Sequence, residues 1–403
     1  LVEQLKNVKG VKKVEVAGSY RRQKETVGDI DILVTCKKGA QVMDSFVKYD
    51  DVEQVVSKGK TRSTVILRTG LQVDLRVVPQ VSFGAAMHYF TGSKAHNIAI
   101  RKMGVKENLK INEYGVFKNE KRIAGRTEEE VYKQVGLPYI EPELREMRGE
   151  IEAAQKHKLP HLVQLKNIRG DLQSHTKASD GKLSLEEMAD AAREKGYDYL
   201  AITDHSKHVT VANGLDEKRL AESIEQIDKL TGKLNGFRLL KSVEVDILSD
   251  GKLDLSDDIL KELDIVICSV HYNFNLSRDE QTQRVLRAMD NPYFNIFAHP
   301  TGRLIGEREP YEIDLEKVME SAKNKNCFLE INAQPDRLDL SDNYIKMAKD
   351  MGVKLAISTD AHSKSDLDNM RFGVSQARRG WLEPDDVLNT RKWEDLKKLI
   401  TRK

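Results

Sequence analysis

From residue 170 onward one pattern recurs seven times: a short apolar run closes on a polar residue and gives way to a helix-like stretch. The runs end at residues 170–175, 199–205, 242–244, 266–271, 296–299, 327–330 and 355–362. Strands alternating with helices in this way predict a parallel sheet, because parallel neighbours need a crossover and a helix is the usual one. The result is an α/β barrel or a doubly wound sheet, and in both the ligands sit at the carboxyl ends of the strands. Histidines occupy those ends here.

The first 150 residues are a different object. They hold 27 Lys and Arg against 20 Asp and Glu, a net of +7, leaving 39 against 44, or −5, for residues 151–403. The overall +2 therefore conceals a basic part, and its segment 94–126 can follow phosphates. Only His88 and His96 fall in the first part. Its β-branched runs at 11–16, 30–34, 65–67 and 73–78 predict strands, with Thr69-Gly70 turning the last two into a hairpin. After Pro79 the pattern changes to helices and a basic, loop-rich segment. Pro138, Pro142 and Pro160 bracket a charged helical stretch around 144–157 that suits a linker, with the boundary near residue 160. The length of 403 residues fits two domains of ordinary size. No apolar run approaches the roughly 20 residues of a membrane helix. Three scattered cysteines, Cys36, Cys268 and Cys327, favour a reducing cytoplasm. No signal peptide is evident, and a start at Leu1 reads as an excerpt whose natural beginning lies upstream.

Gly28-Asp29-Ile30-Asp31 opens an apolar strand, so Asp29 and Asp31 project from one face. Two like charges that close are costly unless a cation holds them. Asp74 sits in a second apolar strand where another Val or Ile would be unremarkable. Three carboxylates on neighbouring strands can hold two Mg²⁺ for attack by a hydroxyl and departure of pyrophosphate. A lone Asp-x-Asp is more often a pair of surface acids, but its surroundings here argue otherwise. Gly18-Ser19 ends a strand and opens a helix-like segment with Arg21 and Arg22, grouping backbone N–H groups, a hydroxyl and a guanidinium suited to phosphate.

The order Gly18-Ser19-Tyr20-Arg21-Arg22, Gly28-Asp29-Ile30-Asp31, Asp74-Leu75-Arg76, Tyr89-Phe90-Thr91-Gly92-Ser93, Asn97, Arg101, Glu113-Tyr114 resembles the family X DNA polymerases across residues 10–120. The resemblance implies that Asp29, Asp31 and Asp74 are catalytic and hold Mg²⁺ or Mn²⁺, with Asp74 nearest the primer 3′-hydroxyl and helping to remove its proton. It implies that Gly18, Ser19, Arg22 and Gly28 contact the triphosphate, that Tyr89, Phe90 and Gly92 line the sugar, and that Asn97 reaches the base. Arg76, Lys94, Arg101, Glu113 and Tyr114 then belong to the DNA-binding surface. The chain departs from vertebrate relatives at Gln72, where they tend to carry Arg, and lacks a counterpart of the amino-terminal helical domains. By itself it is expected to polymerise weakly or not at all.

Isolated histidines are usually packed or solvated, but five at strand ends are another matter. His175, His205, His271, His299 and His362 are joined by Asp180, Glu244 and Asp360 in similar positions. Mixed imidazole and carboxylate ligation suits Mn²⁺, Zn²⁺ or Fe, and eight donors exceed one tetrahedral site. Phosphoester hydrolysis is the natural reaction class. Asp171-Leu172-Gln173-Ser174-His175 with Ser179-Asp180-Gly181, Thr203-Asp204-His205, Glu244, Ser269-Val270-His271, His299-Pro300 and Thr359-Asp360-Ala361-His362 resemble the PHP family from 166 to about 375. That resemblance implies a distorted seven-stranded barrel with two or three metals, one usual histidine being replaced by Gln173. Arg303 is a candidate for holding phosphate, Lys207 and His208 for lining the mouth, and Trp381 and Trp393 for core packing.

Together the resemblances imply an α/β chain made of a mixed α+β nucleotidyltransferase palm (1–82), a nucleotide- and template-binding subdomain (83–147), a linker (148–165) and a (β/α) PHP barrel (166–403). They imply a DNA repair enzyme that fills short gaps and trims 3′ ends. Its partners would be gapped or primer-template DNA and deoxynucleoside triphosphates, with no membrane, and the chain is expected to be a monomer. A small-molecule phosphatase of the histidinol-phosphate kind and a DNA-end binding scaffold are the alternatives.

Overall fold

A computed structural model describes residues 1–36 and 39–401. The chain forms two compact units, Leu1–Leu159 and Pro160–Lys403.

In unit 1, strands β1 (Val11–Val16), β2 (Asp29–Cys36), β3 (Val52–Lys58), β4 (Arg62–Leu67) and β5 (Gln72–Val77) form a sheet in the order β1-β2-β5-β4-β3. Only β2 and β5 run parallel. The Thr69-Gly70 turn joins β4 to β5 as expected, its Gly70 N–H donating to the Leu67 carbonyl. Strand β3 is not signalled by burial, since all but its first residue are exposed; it is held by its ladder to β4. Ile32, Val34, Val65, Val73 and Leu75 pack on one face against Val42, Met43 and Phe46 of the helix Gly39–Val47. Leu33 faces the other way, onto Phe83, Ala86 and Met87 of the helix Phe83–Thr91.

Segment 94–126 is more ordered than its composition led us to expect. The helix Lys94–Lys106 starts at Ser93, whose hydroxyl accepts the His96 N–H. Three antiparallel strands follow, β6 (Leu109–Asn112), β7 (Gly115–Lys118) and β8 (Lys121–Ala124). Their charged residues are exposed, alternating with buried Leu109 and Ile111 in β6 and consecutive at Lys121 and Arg122 in β8, which hides the strand signal in a count of polar residues. The helix expected around 144–157 is confined to Glu150–Gln155, after a 3₁₀ turn at Pro142–Leu144. Glu150, Ile151 and Ala154 are buried, so this part of the expected linker packs within unit 1.

Unit 2 contains β9 (Gly170–Asp171), β10 (Tyr199–Ile202), β11 (Arg238–Lys241), β12 (Glu244–Asp246), β13 (Ile267–Ser269), β14 (Ile296–Phe297), β15 (Phe328–Asn332) and β16 (Leu355–Ser358). All pairings are parallel, in the orders β11-β10-β9 and β12-β13-β14-β15-β16. Strands β11 and β12 are one run broken at Ser242-Val243, so there are seven strand positions. Parallel bridges His205↔Glu244 and Ser174↔Ala361 join the two sheets into a distorted barrel. Tyr199, Ala201, Ile267, Ile296, Phe328 and Ala356 alternate into one interior cluster with Trp393, Leu396 and Ile400 of the helix Trp393–Ile400. The intervening residues Val266, Cys268, Phe297, Leu329, Leu355 and Ile357 pack outward in the main core. Trp381 and Trp393 are both buried, as core packing requires. Outer helices begin at capping residues, among them Ser184 with Glu187 and Ser277 with Glu280.

Candidate active sites

The parallel register of β2 with β5 places Asp31 opposite Asp74, and Asp29 opposite Gln72. Asp74 is buried and tightly held: Thr64 Oγ1 donates to its Oδ1 at 2.6 Å, Arg62 at 3.2 Å, and Gln72 Nε2 to its Oδ2 at 2.9 Å. Burial raises its pKa, but these three donors outweigh burial and lower it overall. Asp31 is the converse. Burial, then the charges of Asp29 and Asp74, push it up to about 6, only partly offset by Arg76 and Arg62. A carboxylate cluster that raises one of its own members in this way lacks positive charge, and hard oxygen donors on adjacent strands fit a divalent cation.

Next to it lies a cleft of about 540 Å³ lined by Gly18, Ser19, Arg22, Asp29, Asp31, Tyr89, Phe90, Thr91, Gly92, Lys94, Asn97, Ile98 and Arg101. Eleven of the residues singled out from sequence thus meet around one cavity. Gly28, Asp74, Arg76, Glu113 and Tyr114 do not line it: Gly28 is exposed, Arg76 lies over the Phe90 ring at 4.3 Å, and Tyr114 is exposed between β6 and β7. Two glycines are dictated by the geometry. Gly18 has φ +68° and a Cβ there would stand 3.0 Å from Asp31 Oδ2; Gly92 has φ +71° and a Cβ would stand 3.2 Å from an Arg22 nitrogen. Arg22 is held by Glu146 at 2.9 Å and by the Thr91 carbonyl, and Arg21 by Thr91 Oγ1 at 2.7 Å and by Glu128. Asn97 donates to the Tyr89 carbonyl at 2.7 Å, tying the two helices at the cleft together.

In unit 2 the eight expected donors converge at the carboxyl ends of the strands. Glu244 is central: His299 Nε2 lies 2.9 Å from its Oε1, His271 Nε2 3.4 Å from the same atom, and His205 Nδ1 and His175 Nε2 3.3 and 3.4 Å from its Oε2. His175 Nε2 also lies 3.0 Å from Asp360, while Asp180 faces His205 at 3.5 Å and His362 at 3.4 Å. Three overlapping donor groups result: His175, Asp180, His205 and His362; His205, Glu244 and His271; His175, Glu244 and Asp360. Both ring nitrogens of His175, His205 Nδ1, Glu244 Oε2 and both amide atoms of Gln173 are buried without a hydrogen-bond partner. Orphaned buried atoms of this kind are rare unless something binds them, and imidazole with carboxylate is a fitting donor set for divalent transition metals. Burial opposes charge on His271, yet Glu244 and Asp246 push its pKa up to about 10; Asp180 and Asp360 likewise carry His362 to about 9. His299 and Asp360 adopt positive φ, 29° and 52°, a conformation that non-glycine residues hold only under constraint.

Residues 1–96 match the DNA polymerase beta palm family, 86–146 the DNA polymerase beta thumb family and 171–334 the PHP domain family. Along 99% of its length the chain is 42% identical to the DNA polymerase/3′-5′ exonuclease PolX of Bacillus subtilis, covering 70% of that protein. The chain belongs to the PolX family. A probable phosphatase of Thermoanaerobacter is 35% identical over 231 residues, 55% of this chain and 89% of that protein. A crystal structure of Leishmania infantum polymerase beta in a ternary complex covers 36% of this chain and 72% of that one at 23% identity, with a TM-score of 0.33.

Around the donors of this PolX chain stands a second layer that motif reading did not supply. Asp204 accepts from Thr176 N–H and hydroxyl at 2.7 Å each and from Ser179 at 2.6 Å, fixing the loop that carries Asp180. Glu330 accepts the His299 N–H at 2.8 Å, and Asn332 links Glu330 to Asp360. Asp246 accepts the His271 N–H at 3.1 Å. The sequence signals for these were the place of Asp204 in Thr203-Asp204-His205 and a carboxylate closing an apolar run, as at Glu330. Arg303 donates to the carbonyls of Arg337 and Leu338, and the Arg337 guanidinium stands beside the cluster, 3.9 Å from Asp360. Lys207 pairs with Glu217 at 2.6 Å. No described helix is long and apolar enough to cross a membrane.

Proposed function

We propose that unit 1 performs template-directed nucleotidyl transfer for short gap filling and that unit 2 removes nucleotides from DNA 3′ ends. The observation that carries this is the presence, in one PolX-family chain, of a triad of strand carboxylates beside a cleft of about 540 Å³ and of a buried imidazole–carboxylate cluster with orphaned donor atoms. In this reading residues 1–82 are the palm, 83–147 the nucleotide- and template-binding subdomain, and 166–403 the phosphoesterase.

In unit 1, Asp29, Asp31 and Asp74 hold Mg²⁺ or Mn²⁺, with Asp74 fixed by Thr64, Gln72 and Arg62 so that it faces the primer end. Ser19 and Arg22, with the backbone at Gly18 and Gly28, bind the triphosphate. Tyr89, Phe90 and Gly92 bound the sugar, Asn97 meets the base, and Arg76, Lys94, Arg101, Glu113 and Tyr114 contact DNA. In unit 2, His175, Asp180, His205, Glu244, His271, His299, Asp360 and His362 hold two or three Mn²⁺, Zn²⁺ or Fe ions. Bound there, divalent ions supply charge neutralisation at the phosphodiester and activation of water. Asp204, Glu330, Asn332 and Asp246 keep the donors in place, and Arg337 offers a guanidinium to the phosphate. The partners are gapped DNA and deoxynucleoside triphosphates, and a monomer in the cytoplasm is the working expectation.

The test uses 5′-labelled gapped DNA with Mn²⁺. Shortening without nucleotides is expected, abolished in His271→Ala and retained in Asp29→Ala; any extension with nucleotides disappears in Asp29→Ala. Unchanged shortening in His271→Ala refutes the assignment. The likeness of the PHP part to probable phosphatases supports a second reading, small-molecule phosphate ester hydrolysis. Hydrolysis of histidinol phosphate with no action on DNA would favour it.

A further inference from the structure

Two imidazoles share one buried carboxylate in unit 2, and only one of them belongs to the donor cluster. Asp246 is fully buried at the end of β12, two residues after Glu244. Its Oδ1 lies 3.2 Å from His271 Nδ1, and its Oδ2 lies 2.7 Å from His208 Nδ1. The backbone completes the hold on His208: its N–H donates to Asp254 Oδ2 at 2.8 Å, and Asp254 Oδ1 in turn accepts the Asp246 N–H at 3.1 Å. The His208 ring stands edge-on to Tyr272, the neighbour of His271, with centroids 4.9 Å apart. Yet its side chain is 44% exposed, and among the described residues its Nε2 has no partner.

A brace for Asp246 needs no exposed ring; an amide or a hydroxyl would serve. An imidazole with Nδ1 pinned to a buried carboxylate and Nε2 open is the arrangement that moves protons in catalysis. Cleavage of a DNA phosphodiester is accelerated by such a group, because the departing 3′ oxygen is a better leaving group when protonated. The ring nitrogens of His175, His205, His271 and His299 are turned into the cluster, and His362 has Nε2 facing Asp180 at 3.4 Å and Nδ1 at the Asp360 carbonyl at 2.8 Å, so none of the five is available for it.

We propose that His208 is a catalytic residue of unit 2, giving its Nε2 proton to the departing 3′ oxygen, with Asp246 as the positioning residue. The inference rests on reading unit 2 as a 3′-end phosphodiesterase. In the step, a water oxygen bonds to phosphorus, the bond from phosphorus to the 3′ oxygen breaks, and that oxygen takes the His208 proton. The attacking water yields one proton to solvent, and His208 regains one from solvent. The products are a nucleoside 5′-monophosphate and a DNA end with a 3′-hydroxyl.

The test compares leaving groups. His208→Asn keeps a donor for Asp246 but deletes Nε2. On single-stranded DNA its kcat/KM is expected to fall about 10²–10⁴-fold. On thymidine 5′-(p-nitrophenyl) phosphate, whose leaving group departs without a proton, the fall is expected to stay within about threefold. Bound metal per chain is expected to equal that of the wild type. In the metal-loaded wild type, carbethoxylation of His208 by diethyl pyrocarbonate is expected to slow when an oligonucleotide with a 3′-terminal phosphorothioate linkage is added. Equal losses on both substrates, undiminished cleavage of DNA, or labelling indifferent to the oligonucleotide each overturn the proposal. A wild type that cleaves the ester but not DNA overturns the reading of unit 2 and the proposal with it.

Discussion

Replacing Glu128 by Gln tests how far unit 1 depends on a buried ionic network. Glu128 is 8% exposed at the start of the helix Glu128–Gln134, directly after its Thr127 cap. Arg145, which is wholly buried, donates to its Oε1 at 2.7 Å and to the Ile140 carbonyl at 2.8 and 2.9 Å, while Arg21 donates to its Oε2. Burial raises the Glu128 pKa, but Arg145 and then Arg21 outweigh it and bring it from 4.5 down to about 2. At 1.36 kcal/mol per decade, that displacement corresponds to about 3 kcal/mol. A lowered folded pKa means stabilisation fully present above about 4.5 and lost as pH falls toward 2. Glu128→Gln is therefore expected to cost about 3 kcal/mol at pH 7, in line with the roughly 3–5 kcal/mol for breaking a buried ion pair, and about half as much at pH 3. Hydrogen exchange of the peptides covering 128–134 and 140–151 reads it directly. Tryptophan emission does not, because Trp381 and Trp393 both lie in unit 2. A loss of protection below about 1 kcal/mol at pH 7, the scale of an exposed pair, or one unchanged between pH 7 and pH 3, refutes the reasoning.

Two further outcomes follow from the sites. Gly18→Ala puts a Cβ at a positive φ and 3.0 Å from Asp31 Oδ2, so nucleotide incorporation is expected to fall about 10- to 100-fold, while shortening of 3′ ends, measured on the same labelled DNA, stays at the wild-type rate. Because His271 and His362 are raised to about 10 and 9, both carry a proton at pH 7 in the metal-free chain, and loading Mn²⁺ or Zn²⁺ must expel it. Calorimetric titration in buffers of different ionisation enthalpy is expected to show about two protons released at pH 7, fewer as pH rises through 9 to 10; release that does not vary with pH contradicts this assignment.

Much of the fold was legible because the barrel repeats one local device. An apolar run, a polar terminus and a helix-like stretch form a pattern that a chain segment displays without reference to its partners, and seven of the eight donors stand at its polar ends, Asp180 being carried by a loop. Strand β3 and the small sheet β6-β7-β8 were not legible, because their exposed faces carry charges and their order comes from ladder hydrogen bonds to other strands. The helix expected around 144–157 is shorter than its charged composition suggests for a similar reason. Glu150 reads as a solvated charge, yet it is buried against His96 at 2.8 Å, 54 positions away.

The same division runs through the sites. Residue types that chemistry demands at strand ends, such as Asp29, Asp31, His271 and Glu244, can be named from sequence, because their position in the local pattern fixes where they project. Residues that orient them cannot. Thr64 comes to Asp74 through an antiparallel register, Asp246 to both His271 and His208 through a loop and a strand end, and Glu330 to the backbone of His299 from the adjacent strand. A hydrogen bond depends on distances of tenths of an ångström between segments far apart in the chain, and only the folded arrangement sets those distances. The sequence by itself determined the sets of donors and the strands that carry them. The tertiary structure decided which carboxylate is anchored, which imidazole is left open, and which arginine faces the cluster.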